Sequence, residues 1–288
     1  MKFLVIGSGG FMGSHFVQHL LKNNIPYASA SSQDELGINP ATGLWKEPFS
    51  FPDDVSTIVY FSQSPHFRDG WTGASHVMAV NSFSVVKAVS EAIRVGAKKF
   101  IFISTGSVYS PSFKPITEDA SPIRNNWYAL SKLHAEEALA LFKNEIEISI
   151  LRPFGVFGPS QRDRLIPNLI SAVKNSKPIT IQKSNVHTDD DGGFRTNPCY
   201  IDDAVRMIYE VALSKHTMCA NLAGEEVLSV KDIGHLIGTV IGKEPLFDVS
   251  DTRRSGDLIG DVSLLKNHIP VKFTPFVEAL KSTIFAEK

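Results

Sequence analysis

The chain has little of what would put it outside the cell, across a membrane or on a metal. Of its 288 residues two are cysteines, Cys199 and Cys219. Two thiols without metal-ligand spacing exclude a disulfide scaffold and predict a reduced, cytoplasmic protein. No apolar run reaches the roughly 18 residues of a spanning helix, so no membrane segment is expected. The first apolar stretch is too short for a signal peptide and runs directly into glycines. Charge of one sign is also missing: 29 Lys and Arg stand against 30 Asp and Glu, a formal net charge of −1. Such a balance offers no global field to nucleic acid or to a membrane surface. Repeats and low-complexity segments are absent, and no metal site is expected. What is present is apolar: 43% hydrophobic residues, enough to bury a full core in one large domain or one domain with a smaller lobe.

The chain is organised around its first residues, Met1-Lys2-Phe3-Leu4-Val5-Ile6-Gly7-Ser8-Gly9-Gly10-Phe11-Met12-Gly13. A short apolar run reads as a buried strand. It stops at glycine, and Phe16, Val17, Leu20 and Leu21 then follow helical spacing. In a strand–turn–helix, Gly7 allows the tight turn, Gly10 lets backbone approach a pyrophosphate, and Gly13 lets helix and strand pack closely. The helix start, with Phe11 and Met12, offers N–H groups and partial positive charge to phosphates. Gly7, Gly10, Phe11, Met12 and Gly13 are therefore candidate cofactor-binding residues, although the spacing is GxxGxxG rather than GxGxxG.

Further apolar runs predict strands at 26–30, 57–62 and 99–105, with a helix from about Ser75 to Gly96. Alternation of this kind implies an α/β protein with a doubly wound parallel sheet. Ligands bind beyond the carboxyl ends of such strands, where Gly7, Ser31, Ser62 and Thr105 stand. Residues 33–53 read as a loop with room for one short strand. The second strand ends at Ser31 and Ser32, both candidate cofactor contacts, with no basic neighbour. Asp34 and Glu35 lie too far along for that role and read as solvated loop, so NAD and NADP both remain open. Asp189-Asp190-Asp191 lacks the periodicity of a calcium loop.

Tyr128 and Lys132 carry the chemistry. Four residues apart on a predicted helix, they share one face. A phenol near pKa 10 is a poor base at neutral pH. A nearby ammonium favours the phenolate, which can then exchange a proton with a substrate hydroxyl or carbonyl.

With the glycine turn, the strand ending Ser104-Thr105-Gly106-Ser107-Val108-Tyr109 and the Tyr128-to-Lys132 pair, the chain resembles the extended short-chain dehydrogenases/reductases. It is most similar to their nucleotide-sugar epimerases, dehydratases and reductases. Other family-like stretches are Leu151 to Pro159, Phe194-Arg195 with Tyr200-Ile201-Asp202-Asp203, Asn221-Leu222-Ala223, Leu228-Ser229-Val230 and Arg253-Arg254 with Gly256-Asp257. The resemblance implies a Rossmann-like sheet with a smaller C-terminal α/β substrate lobe. Residues 1–159 would form the dinucleotide-binding domain, rejoined by 194–222, with 160–193 and 223–288 as the lobe. It further implies Tyr128 as acid/base, Lys132 lowering its pKa and holding the nicotinamide ribose, and Thr105 bonding the reacting oxygen. Ser62, Asn81 and Pro153 would border the cofactor, NAD or NADP. Arg195 and Arg253 would clamp the diphosphate of a nucleotide-sugar, as guanidinium forks do. Helices near 81–93 and 128–142 resemble those of a homodimer interface.

Two departures shape the expected activity. Gly155 replaces the family's substrate-touching asparagine, and Gly106-Ser107 replaces the Asp-Glu pair of the 4,6-dehydratases. The sequence therefore points to an epimerase. The alternatives are an NADP-linked 4-keto-sugar reductase and a non-catalytic NAD(P)-binding sensor.

Overall fold

The computed structural model describes residues 1–187 and 189–286. The chain opens with β1 (Phe3–Ile6), α1 (Phe11–Lys22), β2 (Tyr27–Ala30) and β3 (Thr57–Tyr60). The predicted long helix is in fact α2 (Ala74–Met78), a π-helical turn over Ala79–Phe83, and α3 (Ser84–Arg94). Then come β4 (Lys99–Ile103), α4 (Trp127–Leu139) and β5 (Glu147–Pro153). The remainder runs β6 (Val156–Phe157), α5 (Leu165–Lys174), β7 (Ile179–Ser184), β8 (Arg195–Thr196), β9 (Cys199–Tyr200), α6 (Ile201–Leu213) and β10 (Cys219–Leu222). It closes with β11 (Leu228–Ser229), α7 (Val230–Ile241), β12 (Phe247–Arg254), α8 (Ser263–His268) and α9 (Phe276–Phe285).

The main sheet has six strands in the order β10-β5-β4-β3-β1-β2. The pairings β1/β2, β1/β3, β3/β4 and β4/β5 are all parallel. The chain steps from β1 outward to β2 and then crosses to the far side of β1 for β3. This reversal opens a crevice beyond the carboxyl ends of β1 and β3. Alternate residues of each strand serve opposite faces. Leu4, Ile6, Ile58, Tyr60, Phe100 and Phe102 pack with Val85, Ala88 and Val89 of α3 and Ala135 and Leu139 of α4. On the other face Phe3 meets Phe16 of α1 and Tyr209 of α6, with ring centroids 5.7 and 5.9 Å apart. A sheet covered on both faces explains why its strands read as unbroken apolar runs.

Two compact units divide the chain. The first comprises 1–108, 121–152 and 205–220; the second comprises 109–120, 153–204 and 221–288. Four segments that the sequence reading assigns to the dinucleotide-binding domain, 109–120, 153–159, 194–204 and 221–222, lie with the second unit. Its core gathers Ile166, Leu169 and Ile170 of α5, Ile179 and Ile181 of β7, Ile233 and Ile237 of α7, and Phe276 and Leu280 of α9.

The 33–53 segment is predicted as a loop with room for one short strand. It holds only an isolated bridge between Ile38 and Trp45, yet Ile38, Trp45 and Phe51 are buried in the first core. Trp45 Nε1 donates to the Ser84 carbonyl at 2.8 Å, so an aromatic plug, rather than a strand, seals α3. Among the described residues no helix is long and apolar enough to cross a membrane.

Candidate functional site

The glycine turn has the shape its sequence predicts. Gly7 has φ +82°, and a Cβ there would lie 2.6 Å from the Ser62 nitrogen. A Cβ on Gly13 would lie 2.2 Å from the Gly7 carbonyl oxygen, so α1 can approach β1 only through glycine. Helix α1 starts at Gly10 with no side-chain cap. The first-turn N–H groups, those of Phe11, Met12 and Gly13, are the ones a helix leaves without intrahelical acceptors. Glycine cradle, uncapped helix start and Ser62 alongside together fit a dinucleotide pyrophosphate.

At the end of β2 the structure corrects the sequence reading. Asp34 is no bystander: its Oδ2 accepts the Ser31 N–H at 2.7 Å, and Gln33 N–H donates to Ser31 Oγ at 3.2 Å. The chain folds back within three residues, so an acid lies beside the strand end although sequence distance argued against it. A basic neighbour exists too. Lys46 Nζ donates to the carbonyls of Ser32 (2.9 Å) and Asp34 (2.8 Å). Neither is legible from spacing, since Lys46 arrives from the far arm of the loop.

Helix α4 carries Tyr128 and Lys132 as expected, with Asn126 capping it through a bond from the Ala129 N–H at 2.9 Å. The Tyr128 hydroxyl donates to Gln63 Oε1 at 3.0 Å, and its ring lies 5.3 Å from that of Phe67. Gln63 and Phe67 are site neighbours that the sequence reading missed. Lys132 is 1% exposed and donates to the Ile103 carbonyl at 2.8 Å. Burial pushes its pKa down to about 7, against the opposing pull of the Glu136 carboxylate. Thr105 is buried, and its Oγ1 accepts the Ser107 N–H at 3.1 Å.

Asn81, expected beside the cofactor, spends its amide inside the protein. Its Oδ1 accepts the Ser64 N–H and its Nδ2 donates to Ser131 Oγ, both at 3.0 Å. The Ser131 hydroxyl donates in turn to the Tyr128 carbonyl at 2.8 Å. Asn81 thus links the 62–68 loop to the first turn of α4 from within the π-helical turn, whose Val80 carbonyl takes the Tyr60 hydroxyl at 2.7 Å.

In the second unit Arg195 donates from Nε to Asp257 Oδ2 at 2.9 Å and stays partly exposed. Arg253 is exposed on β12, whereas its neighbour Arg254 is buried against Asp257 and Asp190. Asp190 and Asp191 of the acidic run are accordingly ion-pair partners, of Arg254 and Lys231. Pro153 ends β5, half-buried. His15 and His19 stand one turn apart on α1, each against an aromatic ring, Phe11 and Tyr209. Among the described residues no three His, Cys, Asp or Glu side chains are arranged to hold a metal ion.

Sheet order, crevice and glycine cradle define a Rossmann-like α/β protein. Residues 3–221 match the NAD dependent epimerase/dehydratase family, to which the chain belongs. It is 29% identical over 278 residues to the uncharacterized UDP-glucose epimerase YtcB of Bacillus subtilis (strain 168), covering 87% of this chain and 85% of that protein. With the UDP-glucose 4-epimerase of the same bacterium it shares 26% identity over 299 residues, 90% of this chain and 87% of the relative. Among solved structures it is similar to the UDP-glucuronic acid 4-epimerase of Bacillus cereus, in complex with UDP-glucuronic acid and NAD. There the TM-score is 0.80 at 26% identity, over 98% of both chains.

Proposed function

We propose that this enzyme is an NAD-dependent nucleotide-sugar 4-epimerase acting on a UDP-hexose or UDP-hexuronate. The observation that carries the proposal is the α4 pair: a buried Lys132 amine one helical turn from Tyr128, in the unit that holds the glycine cradle. Relatives named as 4-epimerases of UDP-glucose and UDP-glucuronic acid support the substrate class.

Bound NAD would supply a hydride acceptor and donor, held by Gly7, Gly10, Phe11, Met12, Gly13, Ser31, Ser32, Ser62 and Pro153. Tyr128 Oη takes the proton of the sugar hydroxyl and later returns it. Lys132 favours the phenolate and orients the ribose. The Thr105 hydroxyl bonds the reacting oxygen. Proton transfer by a positioned group contributes about 10²- to 10⁴-fold to rate. Arg195 and Arg253 are the proposed diphosphate ligands. Asp34 supports NAD over NADP, because a carboxylate beside β2 repels a 2′-phosphate; Asp34→Asn should narrow the ratio of the two affinities.

We further propose a cytoplasmic homodimer built through α3 and α4. Phe83, just before α3, and Leu141, just past α4, are 61% and 83% exposed and supply apolar surface beside these helices. Light scattering of Phe83→Asp tests the dimer, and cell fractionation tests the compartment. The decisive assay incubates the purified enzyme with UDP-glucose, UDP-galactose and UDP-glucuronate and follows C4 epimers by NMR. Interconversion that disappears in Tyr128→Phe, with NAD affinity kept, is expected. No interconversion of any of them by the wild type refutes the reading.

A further inference from the structure

The Lys132 amine sits in an apolar setting, 4.7 Å from the centre of the Phe102 ring, with the Ile103 carbonyl as its hydrogen-bond acceptor. Glu136 is one turn further along α4 and therefore on the same helix face. It is 7% exposed, an unusual place for a carboxylate. Arg152 of β5 and Ser104 hold it. Arg152 Nε lies 3.1 Å from Oε1, Arg152 Nη2 bonds Oε2, and the Ser104 hydroxyl donates to Oε1. Ser104 stands between Ile103, which accepts from Lys132, and Thr105. One buried carboxylate thus ties the ends of two sheet strands to the helix that carries Tyr128.

Stability alone does not account for this cluster. Desolvating two charges costs about as much as their attraction returns, and apolar residues of similar volume would join β5 to α4 equally well. What they would not supply is negative charge beside Lys132. The other charged or titratable groups on neighbouring elements are engaged elsewhere. His76 bonds Ser64 Oγ, Lys87 pairs with Glu47, Glu91 with Arg94, Lys99 with Glu147, and Tyr60 bonds the Val80 carbonyl. On α4 itself Glu137 pairs with Arg124 and Tyr128 bonds Gln63, while His134 is exposed. Among the described residues, the charge that acts on Lys132 is that of Glu136.

We propose that Glu136, fixed by Arg152 and Ser104, is a positioning residue that keeps the Lys132 amine charged for its work with Tyr128. This role rests on the reading of Tyr128 and Lys132 as the acid–base pair. Burial alone drags the lysine toward its neutral form, and a neutral amine cannot favour a phenolate. The Glu136 charge opposes that drift.

The test titrates Lys132 by NMR in enzyme labelled at the lysine ε-carbon, its signal assigned by its loss in Lys132→Met. The pH profile of kcat is measured in parallel. In Glu136→Gln both the Lys132 midpoint and the basic limb of kcat should move down by about one pH unit. Glu136→Asp, which retains the charge, should stay near the wild type. Glu136→Gln leaves Arg152 buried without its partner and can fail to fold. The double variant Glu136→Gln/Arg152→Met removes both charges and should show a smaller downward move, because losing the Arg152 cation partly offsets losing the Glu136 anion. An unmoved Lys132 midpoint in either folded variant overturns the proposal. A midpoint that moves while the kcat limb stays fixed overturns the catalytic reading of Lys132, and this role with it, but leaves the electrostatic link intact.

Discussion

Two buried ionic clusters in this chain follow opposite rules. In the second unit Arg254 lies between Asp190 and Asp257, and Asp257, wholly buried, also receives Arg195. Two guanidinium groups meet two carboxylates. Burial works against the charge on Arg254, but its bonds to Asp257 and Asp190 outweigh it, and its pKa rises. In the first unit Arg152 holds both oxygens of Glu136, and Lys132 bonds only the Ile103 carbonyl and feels that carboxylate through space. There burial wins over Lys132, and its pKa falls. A matched cluster fastens strands; an unmatched one leaves a titratable amine where chemistry can use it.

The largest expected contrast comes from Lys132→Met. Turnover should fall by about 10²- to 10⁴-fold, while the urea midpoint at pH 7 does not drop, because an apolar side chain avoids a desolvated amine. A clear loss of stability would make Lys132 scaffold and erase the distinction. Asp257→Ala should do the reverse. It strips Arg254 and Arg195 of a shared carboxylate and should cost about 3–5 kcal/mol in urea unfolding, with NAD affinity retained. A loss below about 1 kcal/mol, within ordinary surface effects, would break the comparison from the other side.

Stability against pH sharpens it further. The unfolded chain binds a proton at Lys132 below about pH 10.4, whereas the folded chain does so only below about pH 7. The unfolded state thus holds more protons in that window, and stability rises with pH. The wild type, measured relative to Lys132→Met, should gain stability from about pH 7 to about pH 10.4; a flat difference contradicts the lowered pKa of the buried amine. The smallest effect concerns Asp190. Burial raises its pKa, but bonds from Arg254 and the Ser184 and Gly192 N–H groups outweigh this and hold it low. Its contribution is present above the unfolded value near pH 3.9 and is lost as pH falls through the lower folded one. Asp190→Asn should therefore flatten the acid limb of stability, at a cost of about 1 kcal/mol at neutral pH. An acid limb as steep as that of the wild type would count against the ion pair.

Much of the frame was legible. Helix α1 carries Phe16, Val17, Leu20 and Leu21 at the spacing that predicts it, and Tyr128 and Lys132 share one turn of α4. These are local features, set by periodicity within a dozen residues. What escaped the reading is non-local. Trp45 reaches Ser84 across 39 positions, Tyr128 reaches Gln63 across 65, and Lys46 reaches Ser32 across 14. The π-helical turn was invisible for a related reason, since its apolar residues fit an ordinary helix and only packing against Tyr60 and Ser131 distinguishes it.

The sequence by itself determined the strand–turn–helix opening, the alternation that builds a parallel sheet, and the spacing that puts a phenol and an amine on one helix face. Backbone periodicity and the absence of a Cβ suffice for these. Only the tertiary structure decided which charges are matched: that Glu136 belongs to Arg152, that Lys132 is desolvated, and that Arg254 rather than Arg253 is buried. Coulombic pairing and desolvation depend on distance in space, which chain order does not encode.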